Sequence, residues 1–174
     1  MNKKAGILTV AVGIVAAVSA AVVADDDTDK ALLERAGECP PNILVPVTGT
    51  EVSRRAAEVA IALGRACSAS VTALYVSSRT ANGSSRRRPL RSRRQQQAIL
   101  KDIVEIADRY DYRIKTAMRT NVPPDTAIAT TAKRGGYELI VMGVNRRGGD
   151  SLDFGDTAAG VLEKAESSIL YLAG

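Results

Sequence analysis

Apolar and polar positions follow two different periods from residue 42 onward. Runs of five to seven residues that predict strands occur five times, and the first of them, NILVPV, is a continuous apolar run typical of a strand buried in a parallel sheet. They are Asn42–Val47, Ser70–Val76, Tyr112–Met118, Glu138–Met142 and Ser168–Leu172. Between these runs apolar residues recur at intervals of three and four, which indicates amphipathic helices. The predicted helices are Val52–Ala66, Gln95–Tyr110, Pro123–Arg134 and Asp156–Glu166.

Strands that alternate with helices require crossover connections. The pattern therefore predicts an α/β fold, a five-stranded, mostly parallel sheet with helices on both faces. Ligands of such sheets bind beyond the carboxyl ends of the strands, near the point where the strand order reverses. The loops after Val47, Val76 and Met142 are thus the expected floor of a site. A glycine-rich loop, Gly143 to Gly155, connects the fourth strand to the last helix.

The first 24 residues have a different composition. Residues 1–4 are basic, and Ala5–Ala24 is apolar without a single charge. Twenty helical residues span about 30 Å, the thickness of a bilayer core, which predicts a transmembrane helix. The alternative is a signal peptide, since Lys3 and Lys4 form a basic start and small residues precede Asp25. Residues 25–41 are a polar connector to a domain over residues 42–174.

Charge adds one local feature to this picture. The net charge is +5, and seven arginines lie from Arg79 to Arg94 with no acidic residue among them. Residues 77–94 have no apolar periodicity and are predicted as a basic loop insertion, either a solvated loop or a contact for anionic lipid. The run has no aromatic residue on which bases could stack, so a nucleic-acid partner is not expected.

Composition excludes several kinds of active site. The chain has no His and two cysteines, which removes His-based catalytic pairs and His-ligated metals. No set of acid, base and nucleophile is recognisable, and the chain is not expected to be an enzyme. Cys39 and Cys67 are expected as a connector thiol and a helix-end residue, with a disulfide left open for an exported domain.

Three features together resemble the universal stress protein family. They are the segment NILVPVTGT at Asn42–Thr50, the alternation of strands and helices, and the stretch from Glu138 to the end of the chain. The resemblance implies an adenine-nucleotide alpha-hydrolase-like or flavodoxin-like fold, usually dimeric. Some members bind ATP through a loop of pattern G-x2-G-x9-G-[ST]. The tail Gly143–Gly174 looks most like versions fused behind membrane transporters, especially cation/proton antiporters.

The family's nucleotide motif is matched only in part. Gly143 corresponds to its first glycine, but Arg146 stands at the second, and glycines return at Gly148 and Gly149. Gly155 matches the last glycine one position early, which puts Asp156 at the hydroxyl position, with Thr157 one further on. The family's usual aspartate after the first strand is Thr48 here. Two interpretations stay open, a phosphate loop that also uses Arg146 and Arg147 or a plain glycine-rich turn that Asp156 caps.

The candidate nucleotide site therefore combines the strand ends with the glycine-rich loop. It consists of Val47, Thr48, Val76, Met142, Gly143, Arg146, Arg147, Gly148, Gly149, Gly155, Asp156 and Thr157. The resemblance implies ATP or another adenine nucleotide, with Mg²⁺ only in company of the nucleotide, and no other metal.

The expected partners are a second copy, the membrane through residues 5–24, and a transporter. We expect a single-pass membrane protein with a cytoplasmic domain. The alternatives are export after signal cleavage and a dimerisation or scaffold module that binds no nucleotide.

Overall fold

The structure, a computed structural model, describes residues 39–77, 92–144 and 155–174. Its strands are β1 (Asn42–Val47), β2 (Ser70–Ser77), β3 (Lys115–Thr120), β4 (Leu139–Val144) and β5 (Ser168–Ala173). Its helices are α1 (Glu51–Cys67), α2 (Arg93–Arg109), α3 (Pro124–Gly135) and α4 (Asp156–Lys164).

The five strands form one sheet in the order β3-β2-β1-β4-β5, and every pair is parallel. The predicted α/β architecture is confirmed. β1 lies at the centre with β2 on one side and β4 on the other, so the strand order reverses between β1 and β4. β3 and β5 are the two edges.

Two apolar cores cover the two faces of the sheet, because side chains alternate across each strand. Ile43, Val45 and Val47 point to the face covered by α1 and α2, the first core. Leu44 points to the face covered by α3 and α4, the second core. All four side chains are buried, and each aliphatic side chain so buried contributes about 1.5–3 kcal/mol.

β3 begins three residues later than the sequence pattern predicts. Tyr112, the first residue of the predicted strand, uses its side chain elsewhere. Its hydroxyl donates to the carbonyl of Ala69 and accepts from the backbone N–H of Val71 at 3.1 Å. Tyr112 thereby fixes the start of β2, and pairing between β2 and β3 starts only at Thr72 and Lys115.

β4 runs two residues beyond its predicted end at Met142. Gly143 and Val144 pair with Leu172 and Ala173 of β5. Gly143, predicted as the first residue of the glycine-rich loop, therefore lies inside a strand, and only the later part of that loop connects β4 to α4.

Three predicted segments lie mainly or wholly outside the described residues. They are the hydrophobic helix 5–24, the basic loop apart from its ends, and residues 145–154 of the glycine-rich loop. Among the helices of the described ranges, none combines the length and apolar character needed to cross a bilayer.

Candidate functional site

The expected site lies at the carboxyl edge of the sheet, beyond the ends of β1 and β4. The amino ends of α1 and α4 also lie at this edge, because each helix follows one of these strands in a parallel sheet. Helix amino ends have unpaired N–H groups and a partial positive charge that attract anions. Whether a given end can bind an anion depends on whether the chain has already satisfied those groups.

At the amino end of α1 a cluster of hydroxyl groups satisfies the backbone. The Ser53 hydroxyl accepts from the N–H groups of Thr48 at 3.3 Å and Thr50 at 3.2 Å, and donates to the Thr50 carbonyl at 2.9 Å. The Thr50 hydroxyl accepts from the N–H of Ser53, which completes a capping box. Gly49, at φ 74°, lets the chain make this turn.

This cluster occupies the position where the family's aspartate would stand. The Thr48 hydroxyl lies 3.1 Å from that of Thr50, and Thr48 is exposed. Ser53 is only 3% exposed, so its hydroxyl belongs to the fold rather than to a ligand. Side chains therefore satisfy the N–H groups of Thr48, Thr50 and Ser53 at the amino end of α1, and Thr48 itself is exposed.

Gly143 has a packing role that its motif position does not reveal. A Cβ at Gly143 would lie 2.5 Å from the carbonyl oxygen of Val52 and 2.9 Å from the backbone nitrogen of Ser53. The first turn of α1 thus rests directly on β4, and only glycine leaves room for it. The space left by the missing side chain of Gly143 is filled by α1, so no ligand can approach Gly143 from the α1 face of the sheet.

The amino end of α4 differs from that of α1. Its N-cap is Gly155, and among the described residues no side chain caps the helix. The expectation that Asp156 caps α4 is wrong, because Asp156 is the first helical residue and its side chain makes no capping bond. Asp156 is exposed and Thr157 half-buried. The N–H groups of Ala158 and Ala159 donate to the Gly155 carbonyl, so those of Asp156 and Thr157, which no described side chain caps, are the ones an anion can use.

A hydrogen bond from the sheet holds this turn in place. The Tyr171 hydroxyl of β5 donates to the carbonyl of Ala158 at 2.9 Å. Burial raises the pKa of Tyr171, so the phenol stays protonated and able to donate.

The predicted floor residues are mostly core residues. Val47 (1% exposed) lies in the first core and Met142 (5%) in the second, while Val76 is half-buried against the second. They support the site from below and have little surface for a ligand. The predicted Arg146, Arg147, Gly148 and Gly149 lie outside the described residues.

An ion pair between α3 and α4 was not anticipated from the sequence. Lys164 donates to a carboxylate oxygen of Asp125, which is 7% exposed. Burial alone would raise the pKa of Asp125, but the hydrogen bonds from Lys164 and from the Thr126 backbone outweigh it and lower that pKa. A Cβ at Gly160 would lie 2.8 Å from the same carboxylate, so glycine permits this close helix contact.

A shallow groove of about 370 Å³ runs along α3 and α4. It is lined by Thr126, Ala129, Thr130, Lys133, Arg134, Lys164 and Glu166. Two of its three cations are already paired, Lys133 with Glu166 and Lys164 with Asp125. The groove is thus a weaker anion site than the open turn of α4.

No metal centre is present in the part of the chain that the structure describes. No three carboxylate or thiol side chains there are close enough together to hold an ion. Cys39 and Cys67 are both disulfide-bonded, so the expected connector thiol is wrong and neither residue has a free thiol.

Comparison with known proteins agrees with this architecture. The profile of the Universal stress protein family matches residues 41–172. A universal stress protein solved with cAMP superimposes with a TM-score of 0.59 at 16% identity, covering 78% of this chain and 98% of its own. One from Archaeoglobus fulgidus gives 0.61 at 19% identity, covering 75% and 96%.

A plant relative has the same fold. A universal stress protein family protein from Arabidopsis thaliana with AMP bound gives a TM-score of 0.53 at 17% identity, covering 77% of this chain and 92% of its own. No curated protein matches the sequence. At these identities the neighbours establish the fold, and the profile match establishes the family. The chain belongs to the universal stress protein family.

Proposed function

We propose that this domain binds an adenine nucleotide at the carboxyl edge of the sheet, with the phosphates at the amino end of α4. The observation behind the proposal is the contrast between the two helix ends at this edge. α1 is capped by Thr50 and Ser53, whereas no side chain in the described part of the chain caps α4. Fold neighbours solved with cAMP, dAMP and AMP support an adenine nucleotide as the ligand class.

Asp156 limits the affinity of this site for anions. Its carboxylate is exposed on the first residue of α4, where phosphate oxygens would lie. Two like charges ~4 Å apart repel by about 4 kcal/mol at an effective dielectric of ~20, before screening by salt. A quarter of that repulsion is a factor of about five in affinity. The domain is therefore a weak binder, and Mg²⁺ would enter only with the nucleotide.

Calorimetry of the full chain with ATP tests this assignment. Asp156→Ser removes the repulsion and introduces the hydroxyl that the family motif has, so it should tighten ATP binding about fivefold or more. Glu163→Ser is the matched control, because it removes the same charge from the exposed far end of α4 and should leave affinity unchanged. No heat from wild type and Asp156→Ser at millimolar ATP would refute nucleotide binding at this turn.

The proposal also includes a membrane anchor and a transporter partner for this domain. Residues 5–24 would anchor it to a membrane, and the resemblance of residues 143–174 to transporter tails favours a cation/proton antiporter as the regulated partner. Co-purification with an antiporter from solubilised membranes tests this. An antiporter whose transport is unaffected by the chain's deletion would contradict it.

A second candidate function is that of a dimerisation module, and the two sheet edges favour it. β3 has Lys115 and Arg119 exposed along its edge, and charged edges resist pairing with other strands. β5 reads SILYLA and has no charge, with four half-buried apolar side chains, Ile169 to Leu172. An uncharged edge strand is a template for a second copy.

Sedimentation of the full chain distinguishes this function from nucleotide binding. Ala173→Lys places a charge at an exposed position of β5 and should shift a dimer to monomer. Thr116→Lys, at an exposed position of the opposite edge strand β3, is the matched control and should leave the dimer intact. A wild-type chain that stays monomeric at high concentration would rule this function out.

A further inference from the structure

The two cysteines of this chain are both oxidised. The sequence contains two cysteines, and each is disulfide-bonded. One disulfide within the chain accounts for both. The sequence pattern shows the number of cysteines but cannot show that they are bonded.

Packing alone does not account for these residues. An unbonded cysteine usually serves as a small apolar core residue. Cys67 ends α1 and packs partly against the first core, which suits that role, but Cys39 is exposed and precedes β1 by three residues. An exposed thiol contributes nothing to a core, so the bond is the physical reason for a cysteine at position 39.

The chain around Cys67 is held firmly by its own backbone. Ser68 adopts the left-handed conformation that ends α1, and the N–H of Ala69 donates to the Gly64 carbonyl at 2.8 Å. The N–H of Ser70 donates to the Pro41 carbonyl at 2.8 Å, which places the residues that lead into β1 beside the start of β2. This backbone arrangement presents Cys67 in a fixed position.

We infer that the folded domain resides in an oxidising compartment, on the side of the membrane away from the cytosol. Disulfides persist outside the cytosol, whereas thioredoxin and glutathione keep cytosolic thiols reduced. This placement is opposite to the expected cytoplasmic side, and it applies both to a domain anchored through residues 5–24 and to one exported after signal cleavage.

The oxidation itself is ordinary thiol–disulfide exchange. The thiolate of one cysteine attacks a donor protein disulfide, and the second thiolate displaces the donor from the mixed disulfide. The two chain thiols lose two protons and two electrons, and the donor leaves as a dithiol. Such donors operate in oxidising compartments.

This placement is independent of nucleotide binding at the amino end of α4. Calorimetry on the purified chain would show binding or its absence in either compartment. The two proposals therefore fail separately.

Thiol trapping in intact cells tests the inference on the full chain. A membrane-impermeant maleimide that adds mass should label no cysteine, and should label two after a membrane-impermeant phosphine reductant. Cys39→Ser leaves one thiol and should label once without reduction. The variant lacking both cysteines should not label at all, which controls for labelling at other groups.

Two results would overturn the inference. In the first, cells that express the wild-type chain are quenched with acid, and the denatured chain is labelled without a reductant. Labelling of both cysteines would then show that their thiols are free. The second is labelling of wild type, after reduction, only once the membrane has been permeabilised.

Discussion

Gly143→Ala should destabilise the protein, although alanine normally stabilises a strand relative to glycine. The new Cβ would lie 2.5 and 2.6 Å from the carbonyl oxygen and carbon of Val52 and 2.9 Å from the Ser53 nitrogen. All three are backbone atoms of the first turn of α1. They cannot rotate away, so the helix must shift off β4.

The size of the effect follows from two opposing terms. Forced overpacking costs about 1–3 kcal/mol, and three backbone contacts below 3 Å place this site at the upper end. The lower entropy of unfolded alanine returns roughly 0.4–1 kcal/mol. The net loss is about 2 kcal/mol, or roughly 4–8 °C in Tm for a domain of this size.

Gly174→Ala is the matched control, because it approaches the same residue. Its Cβ would meet Val52 Cγ2, the end of a side chain that can change rotamer. We expect a change of under about 0.5 kcal/mol, as for most surface substitutions. The chain has no Trp, so circular dichroism is the appropriate signal for thermal and urea unfolding.

The unfolding measurements on Gly143→Ala and Gly174→Ala could contradict this packing argument in two ways. If Gly143→Ala melts with wild type and shows the same urea midpoint and slope, then α1 does not rest on β4 as described. If Gly143→Ala and Gly174→Ala both lower Tm, the clash involves the Val52 side chain rather than the backbone of α1.

Two further predictions concern contacts that the sequence pattern does not reveal. Tyr112→Phe removes the acceptor of the Val71 N–H and should lower the free energy of unfolding in urea by about 1–3 kcal/mol. The control, Tyr110→Phe at an exposed position, should leave it unchanged. Equal urea midpoints for the two variants would show that the Tyr112 hydroxyl does not stabilise the start of β2. The Asp125 carboxyl, whose pKa the Lys164 hydrogen bond helps to lower below its usual value, contributes stability above its unfolded pKa and loses it as pH falls through the folded pKa. Wild type should therefore exceed Asp125→Asn in Tm near neutral pH and lose that margin below about pH 4; a margin independent of pH would show that the Lys164 ion pair does not stabilise the fold.

The sequence predicts the parts of this fold that depend on local pattern. The β1 bounds agree with the prediction because an apolar run between Pro41 and Gly49 leaves no competing interpretation. β3 is misplaced because the Tyr112 hydroxyl bonds to residues 41 and 43 positions earlier in the chain, and periodicity contains no information on such contacts.

The same limit applies to the candidate site. A glycine at the start of a glycine-rich stretch indicates room for a backbone, but it does not show whether a ligand or a helix fills that room. At Gly143 it is the helix. The hydroxyl cluster could have been predicted, since Thr50 and Ser53 have the spacing of a capping box. The open turn of α4 could not, because Asp156 has the residue type of a cap without its position.

The contrast between the two sheet edges limits how far this protein can assemble. If two copies join through β5, the outer edges of the ten-stranded sheet are both β3, with Lys115 and Arg119 exposed on each. A third copy would meet only these charged edges. Growth therefore stops at a closed, two-fold symmetric pair, and the chain can keep one uncharged edge for recognition without becoming a seed for fibres.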